Sequence, residues 1–183
     1  VEAEAFLQDS LNAGHEGLMA KDMKSEYCVG TRGKKWLKLK PAETLDVVIV
    51  AAEWGHGRRE GWLSNYHLAV KDEDSGDFLV VGKTFKGLTD KEFTQVTKRL
   101  QEIKIKEEGF VVYVRPEVVV EVAYNEIQKS PQYKSRYALR FARIIRFRED
   151  KSAQDSDTLS MVRKLYEKQF KRKGRLSLSI QSK

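Results

Sequence analysis

Apolar positions along this chain change their spacing from helical to alternating and back again. Between residues 2 and 12, Phe6, Leu7 and Leu11 fall on one side of a short helix, and Asn12-Ala13-Gly14 supplies its stop. Two short strands should follow; in the second, Trp36-Leu37-Lys38-Leu39-Lys40, the lysines take one sheet face and the aliphatic residues the other. From Leu45 the texture becomes a series of strands: Leu45 to Glu53, Tyr66 to Lys71, Phe78 to Lys83, Phe110 to Arg115, Val118 to Tyr124 and Leu139 to Arg148, punctuated by glycines at 55, 57, 61, 76 and 109. After the third of these, Thr89 and Glu92 have the spacing of a capping box. Leu88 and Phe93 occupy the staple positions, and Phe93, Val96, Leu100 and Ile103 form a helical stripe. Five or six short strands with one helix inserted after the third is the layout of an OB-fold barrel, with a split sandwich as the structural runner-up. Ser152 to Gly174 reads as a terminal helix with Leu159, Val162, Tyr166 and Phe170 buried, and Asp155 and Asp157 at its positive end. The tail from residue 175 to 183 has no interpretable pattern.

Length and composition narrow this picture. A chain of 183 residues with 40% hydrophobic content builds one ordinary domain plus a fragment. The net charge of +7 is unevenly spread: residues 134 to 183 hold fifteen Lys and Arg against five Asp and Glu, and the remainder is slightly acidic. Such a field suits nucleic acid, although Lys164, Lys168, Lys171, Arg172 and Lys173 read better as a solvated helix face. A lone cysteine, Cys28, excludes an internal disulfide framework and fits a reducing interior. No apolar run approaches a membrane span and no signal sequence precedes Val1.

The chemistry-bearing segments are GHEGLMAKD at residues 14 to 22 and RGKKWLKLKP at 32 to 41, then AAEWGHGRREGWLSNYHLAVKDEDSGDF, VVVEVAYNEIQKSPQYKS and YALRFARIIRFREDKSAQDSDT. In this order they resemble the carboxy-terminal portion of ATP-dependent DNA ligases of the archaeal and eukaryotic replicative type. The first two correspond to the family's fourth and fifth motifs, and REDK at Arg148 to Lys151 to its sixth. Ordered, separated motifs are far more specific than one short charged pattern. The family's nucleophile is the lysine of a Lys-x-Asp-Gly motif, which is absent; Lys21-Asp22 and Lys71-Asp72 continue wrongly. Val1 is therefore expected to begin inside a domain. Residues 1–42 would be a remnant of the adenylation domain, 43–151 the OB-fold domain, 152–174 the terminal helix and 175–183 a tail. The overall class is mainly β with α, and the chain by itself should not seal nicks.

The resemblance implies three steps through lysine-AMP and DNA-adenylate intermediates, with ATP and Mg²⁺ as cofactors. Charge gathers on phosphoryl oxygens at each step, so cations and metal matter more than acids and bases. Glu16 matches the metal-handling carboxylate, and few carboxylates with phosphate oxygens suffice for Mg²⁺. Lys38 and Lys40 share a strand face suited to the α-phosphate and adenylate; with Lys21 they are the expected catalytic lysines. Arg32, Lys38, Arg148 and Lys151 are the expected nucleotide-binding residues. The REDK segment is expected to swing over the active site to orient the β- and γ-phosphates, then rotate away so that the barrel clasps DNA. Arginine fits that task through bidentate contacts. Ala142 stands where relatives often carry proline.

Arg58, Arg59, Lys129, Lys134, Arg136 and Arg143 are the expected DNA contacts, whereas His15, His56 and His67 lack metal-ligand spacing and read as structural. Partners implied are nicked double-stranded DNA, the remaining amino-terminal part of the ligase and, through that part, a sliding clamp, with work inside the cell in replication, repair and recombination. Two rival readings are an mRNA-capping guanylyltransferase and a stand-alone OB-fold nucleic-acid-binding protein.

Overall fold

A computed structural model describes residues 2–13, 15, 17–26, 35–39 and 43–180, the side chains of 170–180 excepted. The chain divides into two compact units, one of Val1–Ala42 with Phe170–Lys183 and the other of Glu43–Gln169. In the first unit, α1 (Glu2–Asn12) buries none of its residues, and Phe6 on its apolar stripe is exposed. Strands β1 (Leu18–Lys21) and β2 (Trp36–Leu39) form an antiparallel hairpin. Leu37, Leu39 and Met19 are also exposed on it, so the stripe and the strands present apolar surface.

The second unit is built on long β-branched strands. Strand β3 (Glu43–Trp54) buries Val47, Val48 and Ile49 completely; β4 (Leu63–Lys71) and β5 (Phe78–Thr84) follow as an antiparallel meander. Helix α2 (Asp90–Glu102) begins at a capping box: the Thr89 hydroxyl accepts from the Glu92 backbone N–H, and the Glu92 carboxylate accepts from the Thr89 N–H at 2.7 Å. That reciprocal pairing satisfies donors a helix start leaves open. Phe93, Val96 and Leu100 then point into the core, where the Phe93 ring stacks on Trp62 and Tyr66.

Strand β6 (Lys104–Glu108) pairs with the first half of β7 (Val111–Tyr124), whose second half pairs with β10 (Arg143–Phe147). Strands β8 (Glu126–Lys129) and β9 (Tyr137–Arg140) make a separate hairpin. The main sheet runs β10-β7-β3-β4-β5 and curls until its ends meet. There the Ile144 N–H donates to the Lys86 carbonyl at 3.0 Å, and the Thr84 hydroxyl donates to the Ala142 carbonyl at 2.6 Å. The result is a curled OB-type barrel.

Four expectations change. The two strands anticipated at 110–115 and 118–124 are one strand: between the Ala51–Tyr113 and Ile49–Val118 pairs the register skips Pro116, which has no N–H for the ladder. The single strand anticipated at 139–148 breaks into β9 and β10 at Phe141, which takes a positive φ of 57°. The terminal helix α3 is Leu159–Ile180, preceded by a 3-10 turn at Ala153–Asp155. Asp155 and Asp157 therefore lie before the helix. Asp155 accepts from the Ser152 N–H, Asp157 from the Asp46 N–H, and the Val162 N–H donates to the Thr158 carbonyl. Val162 is buried as anticipated, Tyr166 is partly buried, and Phe170 lies among the side chains not described.

Candidate functional site

Pairing in the β1–β2 hairpin sets Lys21 opposite Trp36 and Met19 opposite Lys38, and residues directly opposite share a face. The Lys21 ammonium lies 4.4 Å from the Trp36 ring centroid, and the Trp36 indole N–H donates to the Ser25 hydroxyl at 3.0 Å. Trp36 thus packs under a catalytic-candidate lysine, an arrangement that orients the ammonium without neutralising it. Lys38 is exposed on the same face. Glu16, Arg32 and Lys40 lie outside the described residues. Among the described residues no three His, Cys, Asp or Glu side chains are grouped to hold a metal ion.

In the barrel, β10 delivers Arg148 to Lys151 into a tight turn. The Arg148 N–H donates to the Val119 carbonyl and the Lys151 N–H to the Arg148 carbonyl, at 2.9 and 3.1 Å. The Arg148 guanidinium grips Asp150 with Nε and Nη2 at 2.9 and 2.7 Å, while Nη1 meets both Asp46 oxygens at 3.1 and 2.8 Å. Lys151 Nζ donates to Asp46 Oδ2 at 2.7 Å. The hydrogen bond to Asp150 first, then the neighbouring charge of Asp46, raises the Arg148 pKa, and the same bond holds the Asp150 carboxyl below its usual range. Asp157 is pushed upward by burial, against the opposing backbone hydrogen bond from Asp46.

The structure thus brings together two of the anticipated nucleotide-binding cations and adds Asp46, which sequence reasoning missed. Its available signal was one acid among the apolar residues of Thr44-Leu45-Asp46-Val47-Val48, on a strand that buries its neighbours.

The anticipated DNA contacts are spread over the barrel. Arg58 is 86% exposed and meets Asp90 at 3.2 Å. Arg59 lies 5.0 Å from both the Phe85 and Phe93 rings, so part of its role is packing. Lys129 reaches over Tyr166 at 5.9 Å from a helix that is tied to the same hairpin, since the Gln169 amide bonds both the N–H and the C=O of Ile127. Lys134 and Arg136 are exposed in the β8–β9 loop, which is held by the Ser135 hydroxyl donating to the Val80 carbonyl at 2.7 Å; Arg136 has a φ of 66°. Arg143 is exposed at the start of β10.

Two exposed aromatic residues beside arginines were not anticipated. Phe141 is 63% exposed on its left-handed backbone, with the Arg140 guanidinium over its ring, while Phe85 is 48% exposed beneath Arg59. Exposed aromatic rings beside guanidinium groups are the side-chain types that base stacking and phosphate contact draw on. The signal was available in Arg140-Phe141-Ala142-Arg143, where an apolar residue sits between exposed cations.

A second polar cluster lies on β3, β4 and β5. Glu53 accepts from Lys83, His67 and Asn65 at 2.6, 2.8 and 2.7 Å. Burial pushes the Glu53 carboxyl upward, but these hydrogen bonds outweigh it and hold its pKa at about 2; burial lowers the His67 pKa despite the Glu53 contact. Both folded values are depressed, so both groups stabilise the fold at neutral pH and lose that contribution on acidification. The His67 part fades as pH falls below 6.5, the Glu53 part between 4.5 and about 2. Urea midpoints measured from pH 8 to 2.5 should therefore fall in both windows. Glu53→Gln should flatten the lower one by about 2 kcal/mol, allowing for partial solvation. An unchanged slope there would remove Glu53 as a source of acid sensitivity.

A curled OB-type barrel whose last strand delivers paired arginine and lysine, on one chain with a lysine-bearing hairpin, is the build of a nucleotidyltransferase class. The family model described as ATP dependent DNA ligase C terminal region matches residues 59–151, and the one described as ATP dependent DNA ligase domain matches residues 1–40. The chain belongs to the ATP-dependent DNA ligase family. It is 56% identical over 167 residues to DNA ligase 1 of Korarchaeum cryptofilum, a match covering 91% of this chain and 31% of that protein. It thus spans about a third of that relative's length. Among solved structures, the ligase domain of LigD from M. tuberculosis aligns with a TM-score of 0.55 and 24% identity, covering 82% of this chain and 50% of that one. A mycobacterial DNA ligase D complexed with ATP and MES aligns at 0.52 and 23%, covering 83% and 50%. At these identities the two structures speak for the fold.

Proposed function

We propose that this chain is the carboxy-terminal part of an ATP-dependent DNA ligase that seals nicks in duplex DNA during replication, repair and recombination. The observation that carries the reading is the pairing of Arg148 and Lys151 at the end of a segment matched to the ligase family. In self-adenylation Arg148 and Lys151 hold the β- and γ-phosphates of ATP, whose donor requirements a guanidinium and an ammonium satisfy. Lys38 and Lys40, with Arg32, serve the α-phosphate and the adenylate, and Lys21 is steadied over Trp36. Glu16 is the carboxylate for Mg²⁺, which supplies charge neutralisation; a single carboxylate with phosphate oxygens is enough for such an ion. The nucleophilic lysine is supplied by another part of the protein. Arg58, Arg59, Lys129, Lys134, Arg136 and Arg143, with Phe85 and Phe141, form the surface for nicked duplex. No helix among the described residues is long and apolar enough to cross a membrane.

Mixing this chain with a separately made amino-terminal portion of the same enzyme tests the reading. Radiolabel from α-labelled ATP should pass to the amino-terminal portion only when the chain is added. Association without label transfer would favour a pure binding module, and label taken from GTP instead would favour capping chemistry.

A further inference from the structure

We propose that Asp46 is a positioning residue that competes with polyphosphate for Arg148 and Lys151: an internal anion that incoming phosphates must displace, and that recaptures both cations when pyrophosphate leaves. The inference rests on the clamp role given to those two cations above. Asp46 receives Arg148 Nη1 on both oxygens and Lys151 Nζ on one, and its side chain is only 13% exposed, that of Arg148 16%. A guanidinium has five N–H donors. With Nε and Nη2 committed to Asp150 and Nη1 to Asp46, Arg148 keeps little free for a phosphate. A carboxylate offers the same paired oxygens that a phosphate would.

The two acids differ in what holds them. Asp150 belongs to the same turn as Arg148 and travels with it. Asp46 sits in β3, opposite Glu121 of β7, and its backbone exchanges two hydrogen bonds of 2.8 Å with Asp157. Glu121 holds Arg146 at 2.6 Å in the same manner. Asp46 is therefore fixed in the same sheet that holds the turn, since the Arg148 N–H donates to the Val119 carbonyl of β7, and it is the Arg148 and Lys151 side chains that must leave Asp46 to meet a phosphate. Self-adenylation needs the cations released, whereas the later steps need them withdrawn, so an anion of intermediate strength serves both.

The test uses inorganic tripolyphosphate as probe on the 183-residue chain and ATP on the intact enzyme. Asp46→Asn keeps the backbone bonds and one acceptor oxygen but removes the charge. It should bind tripolyphosphate about three- to tenfold tighter than wild type, the range of a partly exposed ion pair. The KM for ATP in self-adenylation should fall and inhibition by pyrophosphate should strengthen. A merely structural ion pair would give the opposite, so equal or weaker binding by folded Asp46→Asn overturns the inference. Wild type gives an independent reading should the variant not fold. On saturation with tripolyphosphate the Asp46 carboxyl ¹³C resonance should move as its cations leave, and a stationary resonance beside a shifting Arg148 Nε–H overturns it too. If removing both Arg148 and Lys151 leaves tripolyphosphate binding unchanged, the clamp reading itself fails and this inference with it.

Discussion

Gly87→Ala should cost the barrel roughly 3 kcal/mol, combining left-handed backbone strain with a steric overlap. At Gly87 φ is 105°, a conformation that side-chain-bearing residues rarely take, and a Cβ built there would lie 2.0 Å from the Ile144 carbonyl oxygen. This is where the sheet closes on itself, since the neighbouring Lys86 carbonyl receives the Ile144 N–H. Any shift that relieves the overlap pulls apart that bond and the adjoining one from Thr84 to Ala142. Gly76 is the internal control, with a φ of 76° and nothing within 4 Å of a built Cβ. Gly76→Ala should cost only about 1 kcal/mol, from strain alone. Urea unfolding of the two variants against wild type measures the difference. Equal losses would mean that the approach of Gly87 to Ile144 does not hold the barrel shut.

How much of this barrel could be read beforehand follows from which residues have a buried face. The α2 start was legible because Thr89, Glu92, Leu88 and Phe93 combine a capping pattern with an apolar pair, two signals that agree. The β3, β4 and β5 strands were legible because runs such as Val47-Val48-Ile49 are apolar and bounded by turn residues. Strand β6 was not, because Lys104-Ile105-Lys106-Glu107-Glu108 is exposed at every position and shows no inward alternation. Strand β8 is four residues long and owes its burial to Ile127 alone, whose outer backbone groups are taken by Gln169 from α3. No local pattern announces a partner 42 residues away. The same limit explains the tail. Gly174 reads as a stop and 175–183 as patternless, yet α3 runs through to Ile180.

The site divides along similar lines. Arg148 and Lys151 were legible because four arginines crowd Arg140 to Arg148 and end in a family motif. Asp46 and Phe141 were not, because their significance is three-dimensional: one is an acid brought under the motif by strand pairing, the other an aromatic turned outward by a positive φ. The cations were visible in the sequence, and the groups that restrain or flank them required the fold.

Lys151→Ala in the intact enzyme should slow self-adenylation by about 100-fold or more while slowing sealing of a pre-adenylated nick by less than about 10-fold. The asymmetry follows from what Lys151 touches. Its ammonium is 31% exposed and donates to Asp46 Oδ2 at 2.7 Å, and an ammonium has three donors, so further ones can serve phosphate oxygens. Those oxygens are present only before pyrophosphate departs, and a pre-adenylated nick carries none of them. Arg148 is more heavily committed, and Arg148→Ala would also free Asp150 and strip Asp46 of its bidentate partner, mixing folding effects into the kinetics. Lys151 is therefore the cleaner probe. Single-turnover rates with ATP and with pre-adenylated nicked duplex, measured on one preparation, give the ratio directly. Equal loss in both steps would place Lys151 in DNA contact or in the fold of the barrel and end the clamp assignment.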